Sequence, residues 1–363
     1  MKKRGVNRRE FLKYSLGGAC AMGVLGSGGG LFKLAEAEAK VESLNFLFSG
    51  GSWKTWFEKT FTIPFGQENN VKMIVVAGDP AAHTVRVIAE KDKPSSDMIH
   101  HQQIQIMQLA SQDLVEEWKE SEIPNLKDIH PAFKCPYLAG KVLAPYGLAY
   151  NVKRSPKKVT SWLDLWDPAF KGKVAIPKWA WVGETWFHSI NKVLGGTEDN
   201  IDIGIKKCRE LFKDNKAIVM DSVEHGKNLF VSEEIWIAPY YTARTTEAQK
   251  AGATIEFVFP EEGGLNWYFN TGLIKGRPKE NKEMALKFIN YTLDPKKQLE
   301  FSLLSGYPPT NVKAIDMIPA DRPDILLTRA QMDNLGKIKV DHVKMIKNSD
   351  KHAERWNKEV LGG

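Results

Sequence analysis

Short apolar runs of strand length alternate with longer stretches of helical spacing along most of this chain. "SLNFLFSGG" reads as a strand closed by a glycine pair, "SWKTWFEKTFTIPFGQENN" as a helix with an aromatic face, and "VKMIVVAG" as a second buried strand. "AAHTVRVIAEKD" has helical spacing, and "SDMIHHQQ" is a strand edge running into polar residues. The pattern resumes with "GKVAIPKW", "ETWFHSINKVLGG", "IDIGIKKCRELFKDN", "KAIVMD" and "EIWIAPYY", and the last third is helical. Such alternation predicts an α/β fold, with a mostly parallel sheet covered by helices. No internal repeat or low-complexity linker interrupts it.

The first 39 residues follow a different logic. "NRREFLKYSLGG" places Arg8 and Arg9 before Phe-Leu-Lys, then a weakly apolar run broken by glycines, Ser15 and Ser27. A membrane span needs about 20 predominantly apolar residues, which this run does not supply. A basic start, a modest apolar middle and the small residues Ala35, Ala37 and Ala39 describe a cleaved export signal. The arginine pair resembles the twin-arginine signal, so cleavage after Ala37 or Ala39 and passage through the twin-arginine translocase are expected. Gly17 stands where a lipobox before Cys20 would have leucine, which argues against lipid attachment. Seven Lys/Arg and three Glu in the leader account for +4 of the chain's net +7. The remaining chain is near +3, with lysines scattered among acids, so nucleic acid is not an expected partner. Only Cys135 and Cys208 remain after processing, far apart and at no metal spacing. About 324 residues, 363 less 39, suffice for two lobes.

Several segments resemble the extracytoplasmic solute-binding proteins of ABC importers, in the branch that holds polyamine and ferric-iron receptors. "FSGGSWKTWFEKTFTIPFGQENNVKMIVV" is similar to that family's opening strand, ligand loop and first helix. "APYGLAYN" (144–151) resembles its first crossover between lobes, and "VTSWLDLWDPAFKGKVAIP" (159–177) its entry into the second lobe. "AGATIEFVFPEEGGLNWYFNTGLIKG" (251–276) resembles the second crossover, with "ALKFINYTLDP" and "SGYPPTN" beyond it. The resemblance implies a two-lobed type II periplasmic-binding-protein fold with two crossover segments and a central ligand cleft. Lobe one would be 41–146 plus 270–363 with the C-terminal helices, and lobe two 147–269. It implies a monomeric periplasmic receptor that closes on a small-molecule solute and docks on an inner-membrane ABC permease, with no cofactor and no reaction.

Ligands of open α/β sheets bind beyond the carboxyl ends of strands. That rule selects Gly50, Gly51, Ser52 and Trp53 after the first strand, and His100 and Gln102 after "DMI". It also selects Trp179 and Trp181 after "VAI", Asp221 and Ser222 after "AIVM", and Tyr240, Tyr241 and Arg244 after "IWIAP". Trp267 and Asn270 come from the second crossover. Gly50-Gly51-Ser52 can form a backbone nest for an anion or carbonyl, or serve as a plain strand-helix turn. The aromatic residues can hold an ammonium over their faces, and Trp267 is read as a cleft ring rather than a core ring. Glu184, Asp221 and Glu262 are candidate countercharges. The polyamine branch shows a carboxylate shortly after the crossover tryptophan, where this chain has Asn270. Arg244 offers the opposite charge, whose planar fork suits a carboxylate. A polyamine-like compound, an amino compound or a zwitterion are therefore the solutes in view.

Two alternatives stand beside this. Tyr240-Tyr241 resembles the paired tyrosines of ferric-iron receptors, with His100 or His101 to complete a set, although "SGGSW" lacks the histidine many of them carry. A two-lobed enzyme would need a cysteine nucleophile beside a base. Cys135 in "FKCPYLAG" and Cys208 in "IKKCRELF" have no such neighbour in sequence, so no catalysis is expected.

Overall fold

Strand β1 (Ser43–Ser49) buries Leu44, Phe46, Leu47 and Phe48 together. A strand apolar on both faces belongs in the middle of a sheet. It lies between β2 (Lys72–Gly78) and β3 (Met98–Gln102), parallel to both. The computed structural model that shows this describes residues 41–362, so the leader with Arg8, Arg9, Ala37 and Ala39 lies outside the described residues. After β1, α1 (Ser52–Phe57) runs through a wider π turn into α2 (Ile63–Asn69). Phe57, Phe61 and Phe65, four residues apart, fall on one face and are at most 1% exposed. Helix α3 (Pro80–Ala89) starts on Asp79, whose carboxylate accepts the Ala82 N–H at 3.0 Å. Helix α4 (Gln103–Ser111) follows β3 without a loop.

A two-residue hairpin, β4 (Lys134–Cys135) and β5 (Leu138–Ala139), precedes the fully buried strand β6 (Val142–Asn151). The second lobe then forms from β7 (Ala175–Pro177), α5 (Glu184–Val193), α6 (Asp202–Lys213), β8 (Ile218–Met220) and α7 (Val223–Val231). It is completed by β9 (Ile237–Tyr241), α8 (Thr242–Lys250) and β10 (Ile255–Val258). Strand β11 (Leu265–Leu273) returns to the first lobe. The first half of β6 pairs with β11, and its second half pairs with β9 and β10. Beyond Phe269, β11 pairs with β3. These two strands are therefore the crossovers. Gly147 marks the change of partners, because a Cβ there would lie 2.3 Å from the Val258 carbonyl oxygen.

The sheet is mixed rather than mostly parallel. β1–β2, β1–β3 and β7–β8 are parallel, whereas every pairing of β6 and β11 is antiparallel. A strand that enters one lobe and a strand that leaves it must run in opposite directions, which local alternation does not reveal.

The C-terminal helices α9 (Lys279–Thr292), α10 (Pro295–Ser305), α11 (Val312–Ile315), α12 (Arg329–Leu335) and α13 (His342–Arg355) divide between the lobes. Phe288 of α9 packs edge-on against Phe46 and Phe65, and Phe301 of α10 packs on Phe61, all in lobe one. Helix α13 lies against elements from both halves of the chain. This helix contacts both α4 and α5, and Arg355 pairs with Asp202 at 2.8 Å. Just beyond it, Trp356 packs against Trp179, Phe187 and Phe212. The amphipathic face that buries Met345 and His352 finds its partner only in three dimensions. Among the described residues no helix is long and apolar enough to cross a membrane.

The seam between α5 and α13 is sensitive to acid. His188 is 1% exposed, with Nε2 3.3 Å from His352 Nδ1. Burial, and then the neighbouring His352, pushes His188 down to about 4. The unfolded chain takes up this proton near 6.5 and the folded chain only near 4, so the stabilisation is complete above 6.5 and lost as pH falls toward 4. One such group accounts for about 3 kcal/mol over that window. Denaturant melts at pH 7.5 and 4.5 should show the loss, and His188→Leu should reduce it by that one group's share, leaving the part due to His101 and His342, which burial also pushes down to about 4. An unchanged pH slope in the variant would remove His188 from the account.

Candidate ligand-binding cleft

Side chains alternate across a strand, so Trp267 and Phe269 share one face of β11. Their register partners on that face are Ala144 of β6 and Gln102 of β3. Together with Tyr307, in the loop after α10, they form one wall of a cavity of about 130 Å³. The opposite wall comes from lobe two: Trp181, Val223, Tyr241 and Arg244. The cavity thus lies where the two crossovers pass between the lobes.

Arg244 is the charged group of this lining. It stands on the first turn of α8, donates from Nη2 to the Tyr307 hydroxyl at 2.9 Å, and holds Glu247 through Nη1. Burial, and then the nearby Tyr307, pushes the Tyr241 phenol above its ordinary range, so it stays protonated as a hydrogen-bond donor. Its ring packs edge-on against Tyr146 at 4.6 Å and lies 6.4 Å from Trp181. Trp267 is 2% exposed, and its indole N–H has no acceptor among the described residues. A buried donor left unpaired costs about 1–3 kcal/mol, which an acceptor on a solute would recover. Trp53 is half-buried behind this wall, against Phe269 at 4.6 Å and Tyr307 at 4.9 Å.

The residues selected from sequence separate into two groups. Gln102, Trp181, Tyr241, Arg244 and Trp267 converge on the cavity. The others lie elsewhere. Tyr240, adjacent on β9, points to the other face; it is fully buried and donates its hydroxyl to the Val223 carbonyl at 2.7 Å. Trp179 packs on Trp356 and Phe187. Asp221 is exposed and pairs with Lys178 at 3.4 Å, and Ser222 caps α7 through the His225 N–H. Asn270 is buried on the reverse face of β11, with its amide donating to the Tyr268 carbonyl. Gly50 and Gly51 are exposed at the turn before α1, where a Cβ would meet nothing, and neither is among the described residues of this lining; the Ser52 side chain lies outside what the structure describes. His100 is buried beneath Phe269 rather than beside it. Glu262 accepts from Ser161 and from the Trp162 N–H, and Glu184 is half-buried near Ser349.

Of the two adjacent tyrosines only Tyr241 lines the cleft, while the Tyr240 hydroxyl is bonded to the Val223 carbonyl, so the pair that the ferric-iron reading needs does not converge on one point in this structure. Cys208 is fully buried, and burial pushes its thiol well above the ordinary cysteine range; burial raises Cys135 as well. Sequence reasoning missed Ala144, Val223, Phe269 and Tyr307. Phe269 was findable by the two-residue period from Trp267. Tyr307 was not, because it reaches the cavity only through tertiary packing. A larger hollow of about 560 Å³ lies on the reverse face of β11, lined by Asn266 and Tyr268 with exposed Lys337 and Lys339. It lacks the convergence of both lobes on crossover residues that defines the smaller cleft.

Two lobes joined by crossing strands, with a cleft between them, define a periplasmic binding protein. The chain belongs to the bacterial extracellular solute-binding protein family, whose model matches residues 61–324. It is 26% identical over 298 residues to spermidine/putrescine-binding periplasmic protein 1 of Haemophilus influenzae, covering 79% of this chain and 81% of that one. It is 24% identical over 339 residues to the gamma-aminobutyric acid-binding protein of Pseudomonas aeruginosa, covering 90% and 94%. In fold it is similar to an ABC transporter protein of Clostridium perfringens, with a TM-score of 0.76 at 21% identity over 87% of this chain and 99% of the other. It is a solute-binding receptor of the ABC-transporter class.

Proposed function

We propose that this receptor captures a compact solute carrying a carboxylate at one end and an ammonium at the other. One observation carries the reading: among the described residues the cleft lining contains the Arg244 guanidinium and no carboxylate. A planar guanidinium favours a carboxylate held through two parallel hydrogen bonds. The Trp181, Tyr241 and Trp267 rings supply faces for the ammonium. A cavity of about 130 Å³ has the volume of about four liquid waters, which suits a short amino acid better than a long polyamine. Of the relatives, those named for spermidine and putrescine and the one named for gamma-aminobutyric acid bracket this choice.

In the same reading the lobes are 41–146 with 270 to about 340, and 147–269 with α13 docked on it. Capture is lobe closure, with Arg244 and Tyr241 brought against Trp267, Phe269 and Tyr307. The protein works as a monomer outside the cytoplasmic membrane, after export directed by Arg8 and Arg9, and presents its solute to the permease without making or breaking a bond.

A thermal-shift panel tests this. Ligand at one hundred times its dissociation constant stabilises by about 2.7 kcal/mol. The largest shift is expected among short ω-amino acids such as 4-aminobutyrate, a smaller one with putrescine, and none with ferric citrate. A panel led by spermidine or by iron would overturn the proposal.

A further inference from the structure

Beneath the cleft wall lies a buried amine that pairs with no acid among the described residues. Lys141, just before β6, is 2% exposed. Its Nζ lies 3.0 Å from His100 Nδ1 and 2.7 Å from Thr271 Oγ1. It also lies 5.1 and 5.9 Å from the ring centroids of Phe57 and Phe46. Two lone-pair acceptors and two aromatic faces form the surroundings that an ammonium selects. A buried lysine is ordinarily matched by a carboxylate, and among the described residues none is paired with this one. Asp97, the buried acid of the same lobe, is taken by Arg277 at 2.7 Å.

Among the described residues, the elements packed around Lys141 supply no negative charge to it either. β3 contributes His100, and His101 on its reverse face, bonded to Thr84 and the Pro80 carbonyl. β11 contributes Thr271, while β1 and α1 contribute phenylalanines. Burial opposes a proton on Lys141, and burial followed by Lys141 opposes one on His100; the Thr271 hydroxyl, the imidazole lone pair and the two ring faces act against that opposition at Lys141. The cluster touches the cleft through one ring: His100 stacks parallel on Phe269, with centroids 5.5 Å apart and an interplanar angle of 6°.

We propose that Lys141 is a specificity-determining residue whose buried charge, one aromatic layer beneath the cleft, disfavours a second cationic end on the solute and favours an anionic one. This rests on the cleft assignment above and adds a residue that does not touch the solute. Rings between the amine and the cavity screen a charge far less than water would. Specificity by an unfavourable charge is as effective as specificity by a new contact.

The test uses two solutes with the same four-carbon chain, 4-aminobutyrate and putrescine, titrated into wild type and into Lys141→Met. The ratio of their affinities should move toward putrescine by about ten-fold, the effect of one charge at such a range and an effective dielectric of about 20. The two affinities should move in opposite directions. A role in packing alone would weaken both equally, and a constant ratio would overturn the proposal. Lys141→Gln, which keeps hydrogen-bond donors for His100 and Thr271 without the charge, is the second variant and should move the ratio the same way. The wild-type ratio tests the choice of solute, whereas the variant-to-wild-type change tests Lys141, so either can fail alone.

Discussion

Trp267→Ala should unfold more easily and bind more weakly at once. The ring is 2% exposed and belongs to the same apolar cluster as Leu143, Ala144 and Leu265, so the reading of it as a cleft ring only was incomplete. Truncating a large buried aromatic costs about 3–5 kcal/mol, which for a chain of this size lowers the melting temperature by on the order of 10 °C. Because the same ring lines the cleft, solute affinity in the folded fraction should also drop, by about 1–3 kcal/mol. Calorimetric melting and solute titration on one sample separate the two effects. A lower melting temperature with unchanged affinity would place Trp267 in the core alone and remove it from the site.

Arg244→Ala should reduce affinity for an amino-carboxylate solute about one hundred-fold, since truncating one partner of a desolvated charge pair costs about 2–5 kcal/mol. Arg244→Lys keeps the charge but not the fork, and about a ten-fold loss is expected. The direction is diagnostic. If the natural solute were a polyamine, removing a guanidinium from the lining would strengthen binding. Stability should change little, because Arg244 is 28% exposed and its partners Glu247 and Tyr307 retain access to water or other donors.

The α/β fold class and the order of its segments were legible in the sequence because strand length, helix period and segment order are local properties. The sequence carried about half of the site. Tyr241 and Arg244 follow a strand end, and so does Gln102, so the rule for open α/β sheets reaches them. The same rule reaches Tyr240 and Asn270 equally, and the face of the strand decides between them. That face is set by register: Tyr240 lies opposite Gly147, and Asn270 opposite His101. Trp179 and Trp181 are two residues apart, but they sit in a π turn rather than a strand, so period-two reasoning does not apply to them. Tyr307 meets Arg244 across 63 residues and Lys141 meets Thr271 across 130. No local pattern announces either contact.

The most direct test of the cleft chemistry is calorimetric titration of the wild-type protein with 4-aminobutyrate and with putrescine under one buffer. The solutes share a chain length and differ in whether the far end is a carboxylate or an ammonium. A lining with a guanidinium and no acid predicts that 4-aminobutyrate binds at least ten-fold more tightly. Tighter binding of putrescine would contradict the assignment of Arg244 as the group that reads the solute.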